Sequence, residues 1–68
     1  MELSARNQIP GRVTSIKLDG LTAEVTLDIG GGRQIVFTIT RASAERLALK
    51  AGDDVTAIIK ASEVLVAK

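Results

Sequence analysis

An all-β fold of five short strands with one brief helix is what this sequence predicts, and three observations predict it. Apolar and polar residues alternate strictly from Leu21 to Ile29, the period-two signature of a half-buried strand. Glycines at Gly20 and Gly30 to Gly32 punctuate segments rich in Val, Ile and Thr, as hairpins require. The period changes once, between Arg41 and Leu49, where Ala44, Leu47 and Ala48 recur at helical spacing.

The first strand is Gly11 to Leu18, and Asp19-Gly20 reads as a tight turn into the second. In that second strand Leu21, Ala23, Val25, Leu27 and Ile29 form one face, against Thr22, Glu24, Thr26 and Asp28. Gly30-Gly31-Gly32 opens a third strand, Gln34 to Thr40, with Ile35, Phe37 and Ile39 inward. Thr40 is the natural N-cap of the helix and Gly52 its stop. Two further strands follow, Val55 to Lys60 and Val64 to Ala67. Five strands with a helix between the third and fourth is the order of the OB-fold, so the expected architecture is an OB-like Greek-key barrel. Val36, Ile58 and Leu65 place apolar groups on the opposite faces of their strands. Such faces need an outside cover, which predicts a homo-oligomer.

Composition narrows the function. The 68 residues form one expected domain with no cysteine and no histidine, which excludes disulfides, Cys/His zinc sites and thiol or imidazole catalysis. A chain this short buries only about 60 % of its unfolded surface, and oligomerisation is the usual remedy when staples are missing. Nine Lys and Arg against eight Asp and Glu leave a net charge of +1, and Phe37 is the single aromatic. That is too little charge and too few rings for nucleic acid. Mean hydropathy is high at +0.24, yet no apolar run reaches the roughly 20 residues of a membrane span. MELSARNQIP carries no signal-peptide segment, so a cytoplasmic binding protein without catalysis or membrane partner is expected.

Several polar residues carry two readings. Ser4-Ala5-Arg6-Asn7 reads as a frayed terminus, or as a hydroxyl, a guanidinium fork and converging amides suited to a desolvated oxyanion. Lys60, leading into Ala61-Ser62, points to solvent or lends charge to a bound anion. Thr40 caps the helix, and as a cap residue it also stands where an anion is favoured. Gly30-Gly31-Gly32 is a hairpin turn using positive φ, or a close-approach site on a symmetry axis. Asp53-Asp54 is a turn with only a weak suggestion of a cation site. No carboxylate pair or nucleophile with a base is spaced for catalysis.

These segments together resemble the molbindin (Mop) family of molybdate-binding domains, also called molybdenum-pterin-binding proteins. The likeness rests on Ser4-Ala5-Arg6-Asn7-Gln8 with Gly11, Ala23-Glu24-Val25, Ile39-Thr40 and the Ser43-bearing helix ending Leu47-x-Leu49-x-x-Gly52. Ile59-Lys60-Ala61-Ser62 completes it. The resemblance implies an OB-like barrel that binds molybdate or tungstate between subunits, in a hexamer built as a trimer of dimers. It implies oxyanion contacts from Ser4, Ala5, Arg6, Thr40, Lys60, Ala61 and Ser62. It also suggests an additional axial site at Gly30, Gly31 and Gly32. Met1, five residues before Arg6, fits the free-standing type within the family. The implied role is intracellular molybdenum storage or homeostasis. A nucleic-acid-binding OB module and a purely structural oligomerisation domain are the competing readings; pterin binding lacks a ring to stack.

Overall fold

The computed structural model describes residues 4–68. The residues ahead of Ser4, on which the free-standing reading of Met1 rests, lie outside the described residues. Four antiparallel strands form one sheet: β1 (Asn7–Asp19), β2 (Thr22–Gly30), β3 (Arg33–Thr40) and β4 (Asp54–Ile59), in spatial order β3-β2-β1-β4. Three hairpin-connected strands with the fourth returning beside the first is the Greek-key order. Helix α1 (Arg41–Arg46) and a 3₁₀ turn at Ala61–Glu63 complete the elements.

Strand β1 is the organising element because it pairs with two neighbours in succession. Asn7 to Arg12 pair with β4, and Arg12 to Asp19 pair with β2. The changeover requires a bend, and two features provide it. Thr14 is an extra residue between the Val13↔Leu27 and Ser15↔Thr26 pairs, a bulge that increases local twist. It also shifts the side-chain parity, so that Val13 and Ile16, three residues apart, both pack in the core. Gly11 then lies so close to β2 that a Cβ there would stand 2.7 Å from both the Asp28 carbonyl oxygen and Leu27 Cγ.

Val13, Val25 and Leu27 are the centre of the core, with Ala23 and Ala44 also buried. Ile35, Phe37, Ile39, Val55 and Ala57 pack around it, the first three as the inward set of β3 predicts. The outward residues Val36 and Ile58 are exposed, also as expected.

Four expectations are corrected. The Asp19-Gly20 turn moves by one residue: Asp19 pairs with Thr22, and Gly20-Leu21 is the loop. Only Gly20, at φ 59°, takes a left-handed conformation there, the type II′ pattern, so Leu21 leaves the buried face and is 87 % exposed. The helix ends at Arg46, well before Gly52. The Ala48 amide donates to the Glu45 carbonyl and the Leu49 amide to the Ala44 carbonyl, both at 3.0 Å, which is a Schellman motif. Ala48 occupies its left-handed position at φ 51°. Leu47 and Ala48 are therefore exposed, and Leu49 takes the core contact.

The third correction is the fifth strand: Val64 to Ala67 have no regular structure, and Leu65 is 96 % exposed. The 3₁₀ turn redirects the chain after Lys60, and apolar groups on consecutive positions give Val64–Val66 no polar face to turn outward. The fourth follows from it: among the described residues β3 and β4 are the two edges of the sheet, and no hydrogen bonds close it into a barrel. An apolar cleft of ≈ 950 Å³ lies between them, floored by Val13 and Val25 and walled by Phe37, Ile39, Val55 and Ala57.

Two substitutions test this account by thermal or denaturant unfolding. Ala48→Gly relieves the left-handed strain and raises stability by about 0.5–1 kcal/mol. Gly11→Ala forces apart β1 and β2 and lowers stability by roughly 1–3 kcal/mol.

Candidate functional site

The pairing of β1 with β4 decides where the candidate residues meet. Asn7 pairs with Ile59 at the last rung of this ladder, so Ser4-Ala5-Arg6 enters the sheet beside the point where Lys60-Ala61-Ser62 leaves it. Side chains fasten this junction. Asn7 Nδ2 donates to the Ile59 carbonyl at 3.2 Å, and Gln8 Nε2 donates to the Ala5 carbonyl at 3.2 Å. The sequence reading did not assign these two amides a role; their position within the polar run Arg6-Asn7-Gln8 is the available signal.

Beyond Ile59 the backbone turns. Lys60 is extended at φ −61° and ψ 140° and begins the 3₁₀ turn, whose Glu63 amide donates to the Lys60 carbonyl at 3.0 Å. The first amides of such a turn, those of Ala61 and Ser62, have no carbonyl of the turn within reach. Lys60, Ala61 and Ser62 are exposed, as are Ser4 and Arg6, with Ala5 half-buried. Two cationic side chains, two hydroxyls and the amides of Ala61 and Ser62 thus belong to the segments that flank one end of the β1–β4 pair. Such a set has donors and positive charge, with Glu63 the nearest carboxylate in sequence. It suits a tetrahedral oxyanion, which accepts hydrogen bonds on every side.

Thr40 is elsewhere. It pairs with Thr22, which in turn pairs with Asp19 at the far end of β1. Six of the seven candidate residues therefore lie in the two segments flanking the Asn7–Ile59 rung, and the seventh stands at the opposite end of the long strand. At its own location Thr40 is the helix N-cap, at φ −69° and ψ 147°, accepting the Ser43 amide at 3.1 Å. The start of α1 is also tied to the first hairpin, because the Arg41 amide donates to the Leu21 carbonyl at 2.8 Å.

The Gly30–Gly32 turn lies at the other end of the β2–β3 pair from Thr40, and all three glycines have positive φ. Gly31 and Gly32 form the two-residue loop, the pattern a type I′ hairpin needs. The Gly30 amide already donates to Asp28 Oδ1 at 2.9 Å, so one of the three amides there is engaged by a carboxylate. Asp53 is likewise occupied in the turn before β4, accepting the Lys50 amide at 3.0 Å. Among the described residues no group of three or more His, Cys, Asp or Glu could hold a metal ion, and no helix is long and apolar enough to cross a membrane.

Comparison with known proteins points the same way as the donor set. The model of the TOBE domain family matches residues 3–66. The chain is 44 % identical over 66 residues to molybdenum-pterin-binding protein 1 of Clostridium pasteurianum, across 97 % of both chains. Its structure is similar to a molybdate-binding protein from Sporomusa ovata, with a TM-score of 0.92 and 37 % identity over the full length of both. It is also similar to the cytoplasmic molybdate-binding protein ModG with molybdate bound, at a TM-score of 0.90 and 42 % identity, covering 96 % of this chain and 46 % of that one.

The capping role of Thr40 is separable from ligand binding. Thr40→Ala lowers stability by about 1 kcal/mol in chemical unfolding, whereas Thr40→Ser retains the cap and stays near the wild-type value.

Proposed function

This chain belongs to the TOBE domain family, and from that premise we propose that it binds molybdate at interfaces between copies of itself. The division of the candidate residues carries the interface part of this reading. Ser4, Ala5, Arg6, Lys60, Ala61 and Ser62 lie at one end of β1 and Thr40 is registered with the other. A second copy, turned so that its Thr40 end meets the first copy's Lys60 end, completes the set. The open β3 and β4 edges and the exposed Val64, Leu65 and Val66 give such an association apolar surface to bury. The proposed assembly is a hexamer arranged as a trimer of dimers, working in the cytoplasm to store or buffer molybdenum, with tungstate as an equivalent ligand.

The binding chemistry follows from the residues. Molybdate is a tetrahedral dianion, and burying it requires donors and compensating positive charge. Lys60 supplies an ammonium, and Ser4, Thr40 and Ser62 supply hydroxyl donors. The amides of Ala5, Arg6 and Ala61 aim further N–H groups at the ion, and the Arg6 guanidinium contacts the anion or braces the interface. Each hydrogen bond to a charged partner is worth about 1.5–3 kcal/mol. Sulfate has the same charge and shape, so selection against it rests on cavity size. The Gly31 and Gly32 amides are a further candidate for an oxyanion on a symmetry axis.

Calorimetric titration with molybdate beside sulfate tests the function. Tight molybdate binding with a weak sulfate response is expected, and equal weak heats for both would overturn the reading. A stoichiometry above one ion per subunit would indicate sites beyond the shared one. Lys60→Ala is expected to lower molybdate affinity by roughly ten- to a hundred-fold with the oligomer unchanged in size-exclusion chromatography. Wild-type affinity in that variant would remove the charge role.

A further inference from the structure

Gln8 uses its side chain to hold a backbone group that borders the candidate site. Its Nε2 donates to the Ala5 carbonyl at 3.2 Å. A carbonyl only accepts, so the NH2 end of the Gln8 amide is the end that faces it. The bond starts from fixed ground, because Gln8 is paired with Ile58 in the β1–β4 ladder. Ala5 and Arg6 stand ahead of β1, and the ladder begins only at Asn7. No strand partner therefore sets the orientation of the peptide unit that joins them.

That unit contains two groups of opposite use to an anion. The Ala5 carbonyl and the Arg6 N–H belong to the same planar trans peptide, in which C=O and N–H point in opposite directions. Holding the carbonyl toward Gln8 holds the Arg6 N–H away from Gln8. If the unit turned over, an oxyanion on the N–H side would lose a donor and meet the negative end of a carbonyl dipole instead. One side-chain hydrogen bond thus decides which end of the peptide a ligand meets.

We infer that Gln8 is a positioning residue of the anion site: by holding the Ala5 carbonyl it keeps the Arg6 amide, and not that carbonyl, turned to the ligand. This rests on the molybdate reading above, in which the Arg6 amide is one of the donors. Gln8 is exposed in one copy, where water competes for its bond. With a second copy's Thr40 end in place that water leaves, and the bond strengthens in the lower dielectric. The cost of orienting the Ala5–Arg6 unit is then met before the ligand arrives.

The test is a molybdate titration of the purified oligomer of wild type and Gln8→Met, which keeps the side-chain length and removes the donor. Calorimetry reads the affinity, and nitrogen–proton correlation spectra of labelled protein read each backbone amide. In wild type the Arg6 amide proton is expected to move downfield as the anion accepts from it. Gln8→Met is expected to lower molybdate affinity by roughly three- to ten-fold. At saturation it loses most of the Arg6 shift, while the Ala61 amide still responds. Should Gln8→Met fail to assemble, Gln8→Thr decides by the same readouts, being a good strand former too short to reach Ala5. Either readout at its wild-type value in the assembled variant overturns the Gln8 role and leaves the molybdate function standing. An Arg6 amide that does not respond in saturated wild type does the same, with no variant needed. Absence of molybdate binding in wild type overturns both.

Discussion

The rest of the molecule depends on β1 serving two neighbours. A strand of 13 residues in a chain of 68 has to bend if its sheet is to enclose a core. The bend is made where backbone meets backbone, with Gly11 pressed against Asp28 and Thr14 set aside as a bulge. Because β1 turns from β4 to β2 at Arg12, Val13 reaches the centre of the core and the two ends of the strand diverge. One end carries the Ser4–Arg6 segment beside Lys60–Ser62. The other carries the first hairpin, against which Thr40 and α1 are placed. The geometry of the candidate site is thus a result of strand bending more than of any local loop.

The same economy leaves the chain short of cover. Among the described residues only Val13, Ala23, Val25, Leu27 and Ala44 are buried, while Leu21, Leu65 and Val66 are almost wholly exposed. At about 25 cal/mol per Å² of apolar surface removed from water, covering the cleft between β3 and β4 and the Val64–Val66 segment would add to the 5–15 kcal/mol that stabilises a typical domain. On the proposed reading, association between copies supplies stability that one copy lacks. On that reading it also completes the site, so folding, assembly and ligand binding are coupled. A ligand held only by the assembled form stabilises that form by about 2.7 kcal/mol at a concentration one hundred times its dissociation constant.

Much of this was legible in the residues. The strict alternation of Ala23, Val25 and Leu27, the cap at Thr40 and the start of the helix at Arg41 each reflect local chemistry, and each is found where that chemistry places it, whereas the helix stops earlier than its period suggested. The differences have non-local causes. Nothing in Thr14 marks it as a bulge; only the three-residue spacing of Val13 and Ile16 hints that an extra residue is needed. Ala48 carries no sign of positive φ, because Leu49 is drawn to the core and the Schellman bonds stabilise the turn in spite of the alanine. Val64 to Ala67 leave the sheet because the 3₁₀ turn at Ala61–Glu63 redirects the chain, which the run of apolar residues does not signal. For the site, residue types suggested an oxyanion, but the separation of Thr40 from the other six emerges only from strand register.

On the proposed reading, that separation also explains how weakly constrained side chains form a selective site. Ser4, Arg6, Lys60 and Ser62 are exposed in one copy, where water competes for every donor and a charge pair is worth little. Bringing a second copy's Thr40 end against them removes that water and strengthens each interaction in the lower dielectric. Backbone amides at Ala61 and Ser62 are held by the 3₁₀ turn before the ligand arrives, so their ordering cost falls on folding instead of on binding. Flexible groups such as Lys60 then need only follow. On the proposed reading, selectivity arises from a cavity formed between subunits, and each subunit supplies a part too exposed to bind tightly alone.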